Sequence, residues 1–204
     1  LTFRDVKAEP PEGLTERELK SWYYQRYIKD FLRCVASIDD NVGRLLDYLE
    51  EEGLAGDTII MYTADQGFFL GDHGWDDKRF MYEESLRMPF IIRYPRAIKE
   101  GSSSKDFALN VDFAETFLDY AGIEIPEFMQ GRSLRPILEG KAPEDWQTSM
   151  YYRYWEHLSV EHRVGAHYGI RTHKHKLIYY YGEALGNADA IDEPRTPEWE
   201  LFDL

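Results

Sequence analysis

Cysteine is nearly absent: Cys34 is the only one in 204 residues, so no intrachain disulfide framework can be argued and cysteine usage leaves the compartment open. Long apolar runs are missing too. No stretch of ~18 apolar residues occurs, and no basic segment leads into an apolar one, so neither a membrane span nor a signal peptide is expected. The chain begins at Leu1 and not at methionine, so the loss of something upstream is expected. Positive charge is scarce, with 24 Lys and Arg against 38 Asp and Glu and a formal net charge of −14. This argues against a nucleic-acid partner, which would need a basic face. An anionic ligand would be repelled at long range, so local cations must bind it, and screening at physiological salt limits the penalty. Internal repeats and low-complexity segments are also lacking. Hydrophobic residues at 43% and aromatic residues at 15% exclude disorder. The length suffices for one good core, or one core plus a small added layer.

Residues 1–13 are polar and contain proline, and they read as a leading loop. Thr15 with Glu18 forms a capping box. Trp22, Ile28, Phe31, Leu32, Val35, Ile38, Val42, Leu45, Leu46 and Leu49 then recur at three- and four-residue steps, which predicts one long or broken helix ended by Gly53 and Gly56. Cys34 falls on its apolar face and reads as a buried small hydrophobe; Asp39-Asp40-Asn41 face solvent or a neighbouring loop. Thr58 to Thr63 is an apolar, β-branched run that reads as a strand covered on both faces. A long loop rich in Gly, Asp and aromatics follows to about Met81. Phe90 to Tyr94, bracketed by Pro89 and Pro95, reads as a second, mostly buried strand, and a helix near Asp112 to Tyr120 stops at Gly122. Gly140 to Asp145 is the expected boundary between a unit at 1–140 and one at 141–204. Beyond it, Met150 to Tyr154, Tyr168 to Thr172 and Lys176 to Tyr181 read as antiparallel strands, with a tight turn around His173-Lys174-His175. The fold class is therefore α/β, followed by a small antiparallel-sheet subdomain.

The most informative stretch is Thr63-Ala-Asp-Gln-Gly67. Asp65 and Gln66 sit just past the carboxyl end of a strand, where α/β enzymes keep their chemistry. A carboxylate beside an amide oxygen suits a hard divalent cation such as calcium, which takes oxygen ligands. An Asx-type turn explains the same residues. Lys78 offers three donors to an oxyanion and could offset charge on a leaving oxygen; the structural alternative is an ion pair with Asp76 or Asp77. His73, in Gly71-Asp-His-Gly74, could hydrogen-bond an anion or move a proton, or merely brace its loop. Five histidines, His157, His162, His167, His173 and His175, lie in the terminal portion, and their spacing fits no common zinc pattern. Arg171 lies on a strand between apolar neighbours and needs a carboxylate, so structural pairing is expected. Asp112 reads as a cap and Asp119 as a solvated position.

Ile38-Asp-Asp-Asn-Val-Gly-Arg-Leu-Leu-Asp47, Thr63-Ala-Asp-Gln-Gly67, Gly71-Asp-His-Gly74, Lys78 with Tyr82-Glu83, and Arg87-Met-Pro89 occur in that order. Val111 to Gly122, Gly131-Arg-Ser-Leu134, Arg171 to Ile178 and Glu200-Leu-Phe-Asp203 follow. In this order the chain resembles the type I sulfatases of the alkaline phosphatase superfamily, over most of its length. The resemblance implies the end of an alkaline-phosphatase-like α/β domain followed by a small sheet with a helix. It also implies a calcium ion held in part by Asp65 and Gln66, although sulfatases usually carry Asn or His where Gln66 stands. Lys78 matches the lysine that contacts the sulfate. His73 becomes an active-site neighbour, because the family's shared acid histidine lies upstream of the metal pair. The run Tyr151 to His157, with His162 and His167, is similar to sulfatases acting on 6-sulfated N-acetylglucosamine in mucins and glycosaminoglycans, and it reads as a sugar-facing rim with His162 and His167 as substrate contacts.

Sulfatases carry a formylglycine nucleophile made from Cys or Ser in a Cys/Ser-x-Pro/Ala-x-Arg motif, whereas Cys34 is followed by Val35-Ala36-Ser37-Ile38. The first pair of aspartate ligands and the amino-terminal lysine and histidine are likewise missing. The resemblance thus implies a carboxyl-terminal portion, inactive alone, whose partners are the rest of the same protein and a sulfated carbohydrate. Apolar strand edges would favour self-association, and a periplasmic, secreted or lysosomal enzyme is implied. Two other readings stand beside it: a phosphonate or phosphate monoester hydrolase of the same superfamily, and a non-catalytic, calcium-holding glycan-binding module.

Overall fold

The computed structural model describes residues 6–204; the first five residues of the leading loop lie outside them. Helix α1 (Glu16–Glu51) is unbroken. It starts as the sequence dictates: the Glu18 amide donates to the Thr15 hydroxyl at 3.4 Å, and the Thr15 amide donates to the Glu18 carboxylate at 2.9 Å. The two bonds satisfy orphan donors of the first turn reciprocally. The helix's apolar stripe stays largely open, with Leu49 its only buried residue. Cys34 is exposed, contrary to the expected burial: Phe68 covers Phe31, but Leu32, Val35 and Ile38 around Cys34 stay exposed.

Strand β1 (Ile60–Thr63) pairs antiparallel with β4 (Phe90–Arg93), Ile60 opposite Arg93 and Thr63 opposite Phe90. β1 is not covered on both faces, nor is β4 mostly buried, as expected. β1 is half-buried with Tyr62 exposed, and β4 alternates, with Ile91 65% exposed. Two strands pairing only with each other can pack one face and leave the other open. Between them the long loop folds into a hairpin, β2 (Phe69–Leu70) with β3 (Asp76–Asp77), and a one-turn helix α2 (Glu83–Leu86). Phe69 is buried with the edges of Trp75 and Tyr82 against it, at 5.7 and 6.4 Å between centroids.

Helix α3 (Phe113–Tyr120) lies where predicted, and α4 (Arg135–Leu138) follows. Leu134, Ile137 and Trp146 form a core against which Phe90, Ala108, Phe113 and Leu138 pack. Trp146 therefore reaches across the expected boundary segment into the preceding unit. Asp112 is more than a cap: it is 1% exposed, and its carboxylate accepts from the Leu109 and Arg132 amides, both at 2.9 Å, and from Gln147 at 3.0 Å. Asp119 is not free in solvent, since it pairs with Arg135 at 3.1 Å and accepts from Ser133 at 2.6 Å.

The carboxyl-terminal portion is a four-stranded antiparallel sheet in the order β5 (Ser149–Tyr154), β6 (His167–Thr172), β7 (His175–Tyr180), β8 (Glu198–Asp203). The first three match the predicted strands within a residue or two. β8 was not foreseen. Tyr152, Gly169, Ile178 and Glu200 stand side by side across the sheet, and Met81 lies over that row so closely that a Cβ on Gly169 would come within 2.6 Å of its sulfur. Tyr82 donates to Glu200 at 3.0 Å. Glu83 takes Arg171 at 2.9 Å, the pairing the sequence demanded, and also Lys176 at 3.3 Å. Burial works to raise the Glu83 carboxyl, but Arg171 and Lys176 outweigh it and hold the group below its ordinary range. These contacts bind the sheet to the loop that carries Lys78.

Candidate active site

β1 delivers Asp65 and Gln66 into the turn that follows it, and the β2–β3 hairpin brings Lys78 back beside them. The Lys78 ammonium lies 4.0 Å from an Asp65 carboxylate oxygen, and that carboxylate is 87% exposed. Lys78 pairs with neither Asp76 nor Asp77; Asp77 is engaged by Arg79 at 3.3 Å and by His162 at 3.2 Å. Asn110 braces the turn by donating to the Asp65 carbonyl at 3.2 Å.

Gln66 is oriented by chemistry. Its side-chain nitrogen lies 3.0 Å from both the Ser85 carbonyl and the Ser85 hydroxyl. A carbonyl can only accept, so the NH2 group must face Ser85 and the amide oxygen must face the other way. Burial pushes the Tyr152 phenol up, while the Gln66 amide beside it acts in the opposite sense. Gly67 permits this packing: a Cβ there would stand 2.1 Å from the Glu84 carbonyl, a separation no side chain tolerates. Asp65 and Gln66 thus present two hard oxygen donors on adjacent residues, which fits part of a calcium coordination sphere of six to eight oxygens. Among the described residues no group of three or more His, Cys, Asp and Glu side chains is arranged to hold a metal.

The three predicted histidines fall in different places. His73 faces Glu84 at 3.2 Å, in a left-handed backbone conformation with φ of 57°, and its ring packs on Phe69 and Tyr82. His162 is 19% exposed at its side chain and holds Asp77, the residue before Lys78. His167 is fully buried at the start of β6. Its Nδ1–H donates to the Gly165 carbonyl at 2.8 Å, which leaves Nε2 as a bare lone pair, and that atom is buried without a hydrogen-bond partner. Burial pushes its pKa down to about 4, so the ring is neutral. It stacks on Tyr152 at 5.9 Å, one ring behind Gln66. Beside the hairpin lies a cavity of about 490 Å3 lined by Trp75, Phe80, Tyr82, Tyr180, Arg195 and Glu200, among others. Ser85 and Tyr152 escaped the sequence reading, because a lone serine in Glu83-Glu84-Ser85-Leu86 and one tyrosine among many carry no distinguishing pattern.

The fold that holds these residues, an α/β portion with an antiparallel sheet docked behind it, superposes on hydrolases of the alkaline phosphatase superfamily. Within that superfamily it belongs to the sulfatase family: residues 4–123 match the sulfatase family, and residues 71–204 match the family described as N-sulphoglucosamine sulphohydrolase, C-terminal. The chain is 54% identical over 200 residues to the N-acetylglucosamine-6-O-sulfatase of Bacteroides thetaiotaomicron, covering 97% of this chain and 34% of that protein. It is 37% identical over 124 residues to the N-acetylglucosamine-6-sulfatase of Homo sapiens, covering 60% of this chain and 22% of that one. A solved protein in complex with its substrate D-glucosamine-2-N,6-O-disulfate superposes with a TM-score of 0.83 at 54% identity, over 94% of this chain and 36% of that one. A phosphonate monoester hydrolase from Silicibacter pomeroyi superposes with a TM-score of 0.73 at 29% identity, over 88% and 35%. The chain spans about a third of the length of the first of these relatives. No described helix is long and apolar enough to cross a membrane.

Proposed function

We propose that this chain supplies the carboxyl-terminal side of a sulfatase active site that hydrolyses 6-O-sulfate esters of glucosamine or N-acetylglucosamine units in glycans. The observation that carries the reading is the convergence of Lys78 on Asp65 at 4.0 Å, a cation and an oxygen ligand delivered from separate segments to one point at a strand end. Asp65 and the amide oxygen of Gln66, turned away from Ser85, would hold a calcium ion together with ligands from the rest of the protein. Bound there, calcium supplies positive charge that neutralises the nucleophile and the sulfate oxygens. Lys78 binds a sulfate oxygen and offsets charge as the ester oxygen departs. His73, which borders the site through Glu84, is assigned a catalytic role beside Lys78, and His162, which orders Asp77 and hence the segment leading to Lys78, is assigned to the substrate side. His167, expected as a substrate contact, is fully buried beneath that surface behind Tyr152 and so meets no substrate directly. The formylglycine nucleophile is assigned to the part of the protein that this chain does not contain. The division at 1–140 and 141–204, self-association through the open strand edges, and a periplasmic or secreted location belong to the same proposal. Identity of 54% to an N-acetylglucosamine-6-O-sulfatase supports the choice of substrate.

The likeness to a phosphonate monoester hydrolase favours one competitor, since metal and lysine serve either anion. Both readings are tested in the full-length protein with 6-sulfated N-acetylglucosamine and a phosphonate monoester side by side. Release of sulfate, lost by at least ~100-fold in kcat for Asp65→Ala and Lys78→Ala, is the expected result. Turnover of the phosphonate alone, or unaltered sulfate release by Asp65→Ala, overturns it.

A further inference from the structure

We infer that Ser85 is a positioning residue for the Asp65 and Gln66 site, acting through Gln66; the inference rests on the assignment of those two residues as calcium ligands. Ser85 is fully buried, yet its polar atoms serve two other segments. Its hydroxyl accepts from the Gln66 amide at 3.0 Å and donates to the Lys78 carbonyl at 3.1 Å. Its own carbonyl accepts from the Gln66 amide at 3.0 Å and from the Gly67 N–H at 2.8 Å. A hydroxyl has one proton. That proton goes to Lys78, so the bond to Gln66 must run from the amide into Ser85, consistent with the orientation forced by the Ser85 carbonyl. The result is a directed chain from Gln66 N–H to Ser85 O–H to Lys78 C=O, in which each bond polarises the next. One buried side chain thus turns a candidate ligand oxygen away from itself and fixes the backbone of the lysine expected to bind sulfate.

Glu83, two positions earlier on α2, faces the opposite way into Arg171 and Lys176. The helix bearing Ser85 is therefore held from both sides. Groups that orient a metal ligand are worth about 10- to 100-fold in metal affinity when removed. Without its hydroxyl, residue 85 keeps only the backbone hold on Gln66, so the lower end of that range applies.

Calcium titration of the metal-stripped full-length protein by calorimetry tests this, with near-ultraviolet circular dichroism confirming the fold. Ser85→Ala should bind calcium about 10-fold more weakly than wild type, and Ser85→Cys should fall between the two. In a Gln66→Ala background, Ser85→Ala should bring no further loss, because the route through Gln66 is already gone. Affinity within about twofold of wild type, or an equal loss in both backgrounds, overturns the inference. Should Ser85→Ala not fold, Ser85→Cys, which keeps a weak donor at the same position, carries the same comparison. Asp65→Ala separates the two levels. If it still binds calcium as wild type does, the site assignment fails; if it loses calcium while both Ser85 variants keep it, only the role of Ser85 fails.

Discussion

His167→Phe should flatten the acid side of the stability profile. The imidazole is fully buried among Phe80, Tyr152, Tyr154 and Tyr180, and burial moves its pKa from 6.5 to about 4. The folded state thus resists a proton that the unfolded chain accepts. The stabilising effect of the neutral ring is complete above about pH 6.5 and drains away as pH falls toward about 4. At ~1.4 kcal/mol per pKa unit the full loss is about 3 kcal/mol, and about 2 kcal/mol of it is reached by about pH 5. Urea unfolding at about pH 7.5 and about pH 5, in wild type and variant, reads this directly. Phenylalanine also forfeits the bond from Nδ1 to the Gly165 carbonyl, about 1 kcal/mol, but equally at both pH values. Glu83, held below its ordinary pKa of 4.5, contributes stability that is lost only as pH falls below that value, outside the compared interval. Wild type should therefore lose about 2 kcal/mol more than His167→Phe between the two conditions. Equal losses in the two proteins would refute the account of a buried neutral imidazole.

Gly67→Ala would place a Cβ 2.1 Å from the Glu84 carbonyl; the forced backbone shift should lower stability by about 1–3 kcal/mol and weaken calcium binding, checked by thermal unfolding with and without calcium. Glu83→Ala should leave Arg171 and the 2%-exposed Lys176 without their carboxylate. Discounted for the partial exposure of Glu83 and Arg171, the loss is about 2 kcal/mol, read from denaturant midpoints, whereas Glu84→Ala on the same turn should cost far less.

The helical stripe from Trp22 to Leu49, the capping box at Thr15 and the three strands with local alternation were legible because each depends on near neighbours in sequence. The pairing of β1 with β4 was not, since nothing in an apolar run names its partner or says which face stays open. β8 carries alternation in Glu198-Trp199-Glu200-Leu201, a signal that was there to be used. Asp65, Gln66 and Lys78 were singled out by their place after a strand end together with the resemblance to sulfatases, since residue type alone also fits a turn; that Lys78 comes back to within 4.0 Å of Asp65 is visible only in the structure. Ser85 could not be singled out, for its bonds to Gln66 and Lys78 depend on how the intervening loop folds back on itself. Cys34 misled: helical periodicity tells which side is apolar, and burial also requires something to lie on that side.

Helix α2 is one turn long and contains both Glu83, gripped by the sheet, and Ser85, gripping the ligand turn. So short a strut has no slack, and a displacement imposed at one end is transmitted to the other. Substitutions at Arg171 or Lys176, in the terminal sheet and remote in sequence from Asp65, should therefore surface as altered ion binding, so that defects of the ligand turn would be found at positions that never touch it.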